Sequence, residues 1–138
     1  LGIDFGEKRI GISISDELGI TAQGLPTIIS KTEKDDIVNI KKIVDDHNVE
    51  KIVFGLPKNM NGSIGPQAKK AIDFAEKLKA YCKIHIEMED ERLTTSSAER
   101  VLIKGNRSRK KRKKVIDKMS AVIILQTFLD RIKFNKEI

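Results

Sequence analysis

A carboxylate in an apolar strand is the first residue of this chain whose surroundings suggest chemistry. Asp4 lies in the apolar opening segment, with Gly2 before it and Gly6 after it. An ionised carboxylate is costly to bury unless a cation or hydrogen bonds compensate it. Glycines leave room for another group to approach the backbone closely. Asp4 is therefore a candidate for binding a metal ion or for taking part in a reaction.

Three further carboxylates stand at predicted ends of elements. Asp90 and Glu91 directly follow a predicted strand, and Asp117 lies in the first turn of the predicted last helix. Mg²⁺ prefers oxygen ligands and uses few carboxylates while it keeps waters and substrate phosphates. Carboxylates from three elements could hold one or two such ions, which would activate a water against a phosphodiester. Each carboxylate also has an ordinary explanation. Asp90 and Glu91 could be solvated turn residues, and Asp117 could interact favourably with the helix dipole.

The positive charge of the chain is concentrated in one short segment. The chain has 27 Lys and Arg against 20 Asp and Glu, which gives a formal net charge of +7. Seven of the basic residues fall in one run, outside which basic and acidic residues balance: Arg107, Arg109, Lys110, Lys111, Arg112, Lys113 and Lys114. Such a local excess indicates contact with a polyanion at one place. A phosphate backbone held there would lie near Asp117, although a solvated loop is the simpler alternative.

The elements that position these residues follow from the hydrophobic pattern. Strands are predicted over residues 1–5, 10–15, 20–29, 51–56 and 84–89. Helices are predicted from Thr32 to His47, after Pro66, from Thr94 or Thr95 to Gly105, and over 115–131. Three leading strands indicate an antiparallel meander, and the later alternation indicates parallel crossovers with helices covering the sheet. Without a linker or a repeat, residues 1–138 are expected to form a single α/β domain.

Two faces can be assigned from periodicity alone. In the last strand, Ile84, Ile86 and Met88 alternate with His85, Glu87 and Glu89, which predicts a half-buried strand. In the last helix, the residues expected to face inward are Val115, Met119, Val122, Ile123, Gln126 and Leu129.

Composition narrows the class of protein further. Hydrophobic residues make up 39% of the chain, and no apolar run is long enough to span a bilayer. The single cysteine, Cys82, is typical of a packed residue in a reducing cytosol. We see no secretory signal, so the expected location is cytoplasmic. The chain opens on Leu1 rather than Met, so we expect a few residues to precede it.

Four motifs in order carry a resemblance over nearly the whole chain. They are Gly2-Ile3-Asp4-Phe5-Gly6-Glu7-Lys8-Arg9-Ile10-Gly11, Gly55-Leu56-Pro57-Lys58-Asn59-Met60-Asn61-Gly62-Ser63 with Gly65-Pro66-Gln67-Ala68, Asp90-Glu91-Arg92-Leu93-Thr94-Thr95, and the basic run leading to Asp117-Lys118-Met119-Ser120-Ala121. The sequence resembles the YqgF/RuvX family. These bacterial proteins are similar to Holliday-junction resolvases of the RuvC type and are regarded as nucleases of pre-16S ribosomal RNA.

The resemblance implies a fold and a metal site. The fold is ribonuclease H-like, with a five-stranded mixed sheet flanked by helices. The implied catalytic and metal-binding carboxylates are Asp4, Glu91 and Asp117, with Mg²⁺ or Mn²⁺ as the cofactor. Asp90 remains the alternative to Glu91, because adjacency in the motif does not say which side chain turns inward.

The implied activity is metal-dependent hydrolysis of phosphodiester bonds in structured RNA, at the 5′ end of precursor 16S ribosomal RNA. The alternatives are resolution of branched DNA at Holliday junctions and metal-independent binding of nucleic acid. Pre-ribosomal particles are possible partners, no membrane is expected, and a monomer and a homodimer both stay open. Besides the basic run, the predicted nucleic-acid contacts are Lys8, Arg9, Asn59, Ser63 and Arg92.

Overall fold

A computed structural model describes residues 1–57, 62–90 and 119–132 of the chain. The strands are β1 (Gly2–Phe5), β2 (Arg9–Ser15), β3 (Ala22–Ile29), β4 (Lys51–Leu56) and β5 (His85–Asp90). The helices are α1 (Glu33–Asp46), α2 (Pro66–Cys82) and α3, over residues 119–132. The helix predicted from Thr94 or Thr95 to Gly105 lies outside the described residues. No helix in the described ranges is long and apolar enough to cross a membrane.

The five strands form one mixed sheet in the order β3-β2-β1-β4-β5. The β1–β2 and β2–β3 pairs are antiparallel, whereas the β1–β4 and β4–β5 pairs are parallel. The predicted meander followed by crossovers is confirmed. The carboxyl ends of β1, β4 and β5 therefore lie along the same edge of the sheet. We call this the carboxyl edge.

Helices α1 and α2 cover one face of the sheet. Thr32 caps α1, because its side chain accepts a hydrogen bond of 3.1 Å from the backbone N–H of Asp35. Between this face and the helices, Phe5, Phe54 and Phe74 form an aromatic cluster. The ring centroids of Phe5 and Phe74 are 4.5 Å apart. This packing fixes β1 and β4 against α2.

Helix α3 covers the opposite face, and the residues that it buries differ from those predicted. Its buried residues are Ser120, Ala121, Ile124, Leu125 and Phe128. Of the residues predicted to face inward, Leu129 packs against the buried cluster and Gln126 bonds to the start of β3. Met119, Val122 and Ile123 are only partly buried, so the predicted face is offset from the buried one; Val115 lies outside the described residues. The cause is an apolar run from 121 to 125 that is continuous, so periodicity alone does not select a face.

Burial along the outer strand β5 does not follow the predicted alternation. Met88 pairs with Phe54, on the predicted core face, but it is 37% exposed. Glu89 is only 8% exposed, because it faces α3 and pairs with Arg131. A carboxylate can be buried at such a position when a cation and hydrogen bonds satisfy it.

Candidate functional site

Asp4 lies near the end of β1, at the carboxyl edge. A side chain at Gly2 would point at Leu125 and Ala121 of α3. Successive side chains alternate between the faces of a sheet, so Asp4, two residues further on, lies on the α3 side as well. The residue is half-buried. Its carboxylate is thus on the sheet face that α3 covers, at the edge where the parallel strands end.

Glycines occupy the neighbouring positions on both sides of Asp4. Gly11 is its partner on β2 in the antiparallel register. On β4, Ile3 pairs with Phe54, and the same register continued by one residue places Gly55 beside Asp4. Cross-strand neighbours share a face, so neither adjacent position carries a side chain on the α3 side. Glycines at these two positions permit another group to approach the Asp4 carboxylate closely.

Asp90 reaches the carboxyl edge but lies on the other face. It is the last residue of β5 and pairs with Leu56 of β4. Leu56 belongs to the core under α1 and α2, and Ile86, which has the same parity as Asp90 on β5, packs against that core. Alternation therefore puts Asp90 on the α1/α2 side. The structure brings Asp4 and Asp90 to one edge, but not to one face.

The turn between β1 and β2 presents two of the predicted nucleic-acid contacts. The backbone N–H of Gly6 donates to the carbonyl oxygen of Arg9 at 3.0 Å, and a Cβ at Gly6 would lie 2.7 Å from that oxygen. Glycine is therefore required for so tight a turn. Lys8 is exposed and Arg9 is half-buried. The carbonyl oxygen of Lys8 accepts a hydrogen bond of 2.9 Å from the N–H of Ser30.

The same turn is joined to the start of α2. Lys70 Nζ lies 3.4 Å from Glu7 Oε1, and Gln67 Nε2 donates to the same oxygen at 3.4 Å. Ser63, a predicted contact, is exposed in the segment that leads into α2. Lys8, Arg9 and Ser63 thus belong to segments that surround the carboxyl edge.

The other predicted site residues fall outside the described ranges. These are Asn59, Glu91, Arg92, Arg107, Arg109, Lys110, Lys111, Arg112, Lys113, Lys114 and Asp117. Within the described part of the chain, no group of three or more His, Cys, Asp or Glu side chains could hold a metal ion. The donor that is described, the Asp4 carboxylate with glycines at the adjacent positions on β2 and β4, is of the hard oxygen type that suits Mg²⁺ or Mn²⁺.

Helix α3 is directed toward this site. Ala121 contacts Gly2, two residues before Asp4, whereas Phe128 lies 5.4 Å beneath the Nζ of Lys51, at the start of β4. The N-terminal end of α3 therefore points toward the carboxyl edge. Ser13 Oγ donates a hydrogen bond of 2.7 Å to the carbonyl oxygen of Ala121. Sequence reasoning missed this contact, and the available signal was a serine between Ile12 and Ile14 on an apolar strand.

A 3-2-1-4-5 mixed sheet, helices on both faces and a carboxylate on the first strand define the ribonuclease H-like class. Within that class, residues 1–131 match the RuvX family, described as Holliday junction resolvase. The chain belongs to this family.

Two similar relatives bear the name "Putative pre-16S rRNA nuclease". The protein of Clostridium novyi (strain NT) is 52% identical over 132 residues, which cover 96% of this chain and 98% of the relative. The protein of Clostridium botulinum (strain Hall) is 52% identical over 130 residues, which cover 94% and 95%. Both alignments span nearly the full length of each protein.

Solved structures of Thermus thermophilus RuvC share the fold. The complex of that protein with a Holliday junction substrate has a TM-score of 0.59 at 13% identity, and the match covers 96% of this chain and 94% of that one. A second RuvC structure gives 0.54 at 10% identity, with 96% and 95% covered. At this identity the likeness establishes the ribonuclease H-like fold.

Proposed function

We propose that this protein is a nuclease that hydrolyses phosphodiester bonds of structured RNA, at the 5′ end of precursor 16S ribosomal RNA. The observation that carries the proposal is the Asp4 carboxylate at the carboxyl edge, flanked by Gly11 and Gly55. The names of the relatives, at 52% identity over nearly the whole chain, support the choice of substrate.

Asp4, Glu91 and Asp117 are the residues that we propose hold Mg²⁺ or Mn²⁺. When bound, such an ion lowers the pKa of a coordinated water and stabilises charge on the phosphodiester oxygens. The face of each strand residue favours Glu91 over Asp90. Asp4 lies on the α3 side of the sheet and Asp90 on the other, which counts against Asp90 as a second ligand beside Asp4 and leaves Glu91 as the candidate.

Phosphate contacts are the second part of the proposal. The run from Arg107 to Lys114 precedes Asp117 and carries the whole positive excess of the chain. Lys8, Arg9 and Ser63 belong to segments around the carboxyl edge. Together with Asn59 and Arg92 they would hold the RNA backbone, since Lys and Arg supply most of the affinity for phosphates.

We also propose that residues 1–138 act as one cytoplasmic domain, on precursor RNA alone or within pre-ribosomal particles. A single sheet and a family match to residues 1–131 support this. A second candidate is cleavage of four-way DNA junctions, which the description of the family favours. Two symmetric cuts would require a homodimer, so the mass in solution by light scattering bears on this candidate.

In the test, purified protein with Mg²⁺ is incubated with two substrates: a precursor 16S RNA fragment and a four-way DNA junction of matched length. The proposal expects cleavage of the RNA and little cleavage of the junction. Preferential cutting of the junction by a dimer would select the DNA candidate. Binding of both without cleavage, unchanged by chelation of the metal, would reject the nuclease proposal and indicate a binding module.

A further inference from the structure

The connection between β3 and α1 leaves the sheet at the carboxyl edge, beside the β1–β2 turn. Arg9, the first residue of β2, pairs with Ile29, the last residue of β3. Just beyond this pair, the N–H of Ser30 donates to the carbonyl oxygen of Lys8 at 2.9 Å. Lys8 on the turn and Lys31 on the connection are both exposed. The structure therefore brings two exposed lysines to neighbouring backbone segments at this edge.

A buried carboxylate holds the connection in place. Asp36 of α1 is 2% exposed. Its Oδ2 accepts a hydrogen bond of 2.5 Å from Ser30 Oγ, and its Oδ1 accepts one of 3.2 Å from the N–H of Lys31. The connection cannot move away without leaving a buried carboxylate short of donors, which is costly. The backbone at Lys31 is thus fixed, although its side chain is exposed.

We propose that Lys31 is a further contact for the phosphate backbone of RNA, and that Asp36 is the positioning residue that holds it beside Lys8. Neighbouring strands lie about 4.8 Å apart, so β3 ends about 10 Å from β1, across β2. An RNA strand bound at Asp4 can therefore follow the carboxyl edge over the β1–β2 turn to Lys31. The inference rests on the proposed function, because it requires RNA at this edge.

Two features distinguish Lys31 from an ordinary solvated lysine. A side chain on a fixed backbone has less freedom to lose when it binds a ligand, so its contact with phosphate is more favourable. The acidic residue nearest to it in the first turn of α1, Glu33, pairs with Lys77 of α2 at 2.7 Å. That carboxylate is therefore engaged by a cation from the neighbouring helix.

The first measurement compares the RNA affinity of Lys31→Gln and Lys79→Gln over a range of salt concentrations. Lys79 is an exposed lysine in the last turn of α2, at the end of the helix away from the carboxyl edge, and is the matched control. The probe is a precursor 16S RNA fragment without divalent metal. Lys31→Gln should weaken binding about fivefold at 0.1 M salt and make the logarithmic salt slope shallower by about 0.7. Lys79→Gln should change neither quantity. Equal effects of both variants would overturn the contact, because they would reflect net charge alone.

The positioning role of Asp36 has a test in which net charge acts in the opposite direction. Asp36→Asn keeps the size of the side chain and removes a formal negative charge, which by itself strengthens the binding of a polyanion. The positioning role predicts binding weaker by about threefold, since the loosened connection must be ordered again on binding. Tighter or unchanged binding would overturn this role.

Asp16→Asn is the matched control for Asp36→Asn. Asp16 also holds a turn, through the N–H groups of Ile20 and Thr21, but that turn joins β2 to β3 at the opposite edge of the sheet. This variant should not weaken RNA binding. Thermal melts show whether both variants are folded at the assay temperature. Ser30→Ala is a second test, because it removes a donor to Asp36 without changing the charge, and it should weaken binding as well.

A double-variant cycle shows whether Asp36 acts through Lys31. In an Asp36→Asn background, Lys31→Gln should cause a smaller loss of RNA affinity than in the wild type, because the lysine is no longer held in place. A loss in that background as large as in the wild type, about fivefold, would contradict the proposed route.

The contact and the nuclease activity fail separately. If Lys31→Gln weakens RNA binding as expected while wild-type protein cuts no RNA with Mg²⁺, the contact stands and the nuclease proposal fails. If wild-type protein cuts precursor RNA but Lys31→Gln binds it as tightly as the wild type, the contact fails alone. Wild-type protein that does not bind the RNA would overturn both.

Discussion

Glu89 and Arg131 form a bidentate ion pair between β5 and α3. Arg131 Nη1 donates to Glu89 Oε1 at 2.9 Å, and Nη2 donates to Oε2 at 2.7 Å. The hydrogen bonds to Glu89 raise the pKa of Arg131 above its usual value. Two parallel charge-assisted bonds of this kind have a defined geometry. The pair therefore joins the strand that ends at Asp90 to the helix that follows Asp117 in the chain.

Removing Arg131 alone should lower the free energy of unfolding more than removing both Arg131 and Glu89. Arg131→Met leaves the Glu89 carboxylate, 8% exposed, without its cation, and we expect the free energy of unfolding to fall by about 2 kcal/mol. The double variant Glu89→Leu/Arg131→Met leaves no buried charge and should lose less. Urea denaturation of both variants checks this. A double variant less stable than Arg131→Met would show that Glu89 without Arg131 is not destabilising, and would contradict this prediction.

Gly2→Ala should disturb the packing of α3 against β1. The added Cβ would meet the carbonyl oxygen of Ala121 at 2.9 Å, so the helix must shift, and overpacking of this kind costs about 1–3 kcal/mol. Gly19→Ala is a useful comparison, because Gly19 has φ of +69° but no atom within 4 Å of its added Cβ. There the cost is backbone strain alone, about 1 kcal/mol. A smaller loss for Gly2→Ala than for Gly19→Ala would refute the close approach.

The turn after β2 should contribute stability that depends on pH. The N–H of Ile20 donates to Asp16 Oδ1 at 2.7 Å, and this bond lowers the pKa of Asp16 below its ordinary value of 3.8. A carboxyl whose pKa is lower in the folded state stabilises above its unfolded pKa, and that contribution disappears as pH falls through the folded pKa. The melting temperature of wild type should therefore exceed that of Asp16→Ala at pH 7, by a margin that shrinks below pH 3.8. A margin independent of pH would contradict this origin.

Salt dependence tests the role of the basic run. If all seven residues from Arg107 to Lys114 neutralise phosphates, the logarithm of the RNA-binding constant should fall against the logarithm of salt with a slope of about −5 to −6. Replacing the seven by Gln should reduce that slope sharply. A slope that survives the replacement would place the main phosphate contacts elsewhere, for example around Lys8 and Arg9.

Much of the fold could be predicted from local patterns. The hydrophobic pattern predicted β2, Thr32 was predicted as the start of α1, and the order of elements predicted the mixed sheet. The face of α3 could not be predicted, because the run around Ile123 and Ile124 is apolar on every side. Tertiary contacts determine the face: Gly2 and Ser13 leave space for Ala121 but not for a larger residue.

Only part of the candidate site could be predicted from the sequence. Asp4 could be identified from the sequence, because a charge in an apolar strand conflicts with its surroundings. The glycines beside it on the neighbouring strands, Gly11 and Gly55, depend on strand register. The buried state of Glu89 depends on Arg131, 42 residues further along the chain. Interactions between residues so distant in sequence leave no local pattern from which to predict them.

The central claim is that Asp4 takes part in metal-dependent cleavage, and the most direct measurement is the rate of cleavage of precursor 16S RNA with and without Mg²⁺. Wild-type protein should cut only with the metal. Asp4→Asn, which keeps the shape of the side chain but removes its charge, should cut at least about 100-fold more slowly, since ligand charge positions and activates the metal. RNA affinity and melting temperature should stay near wild type. Cleavage by Asp4→Asn at the wild-type rate would contradict the account.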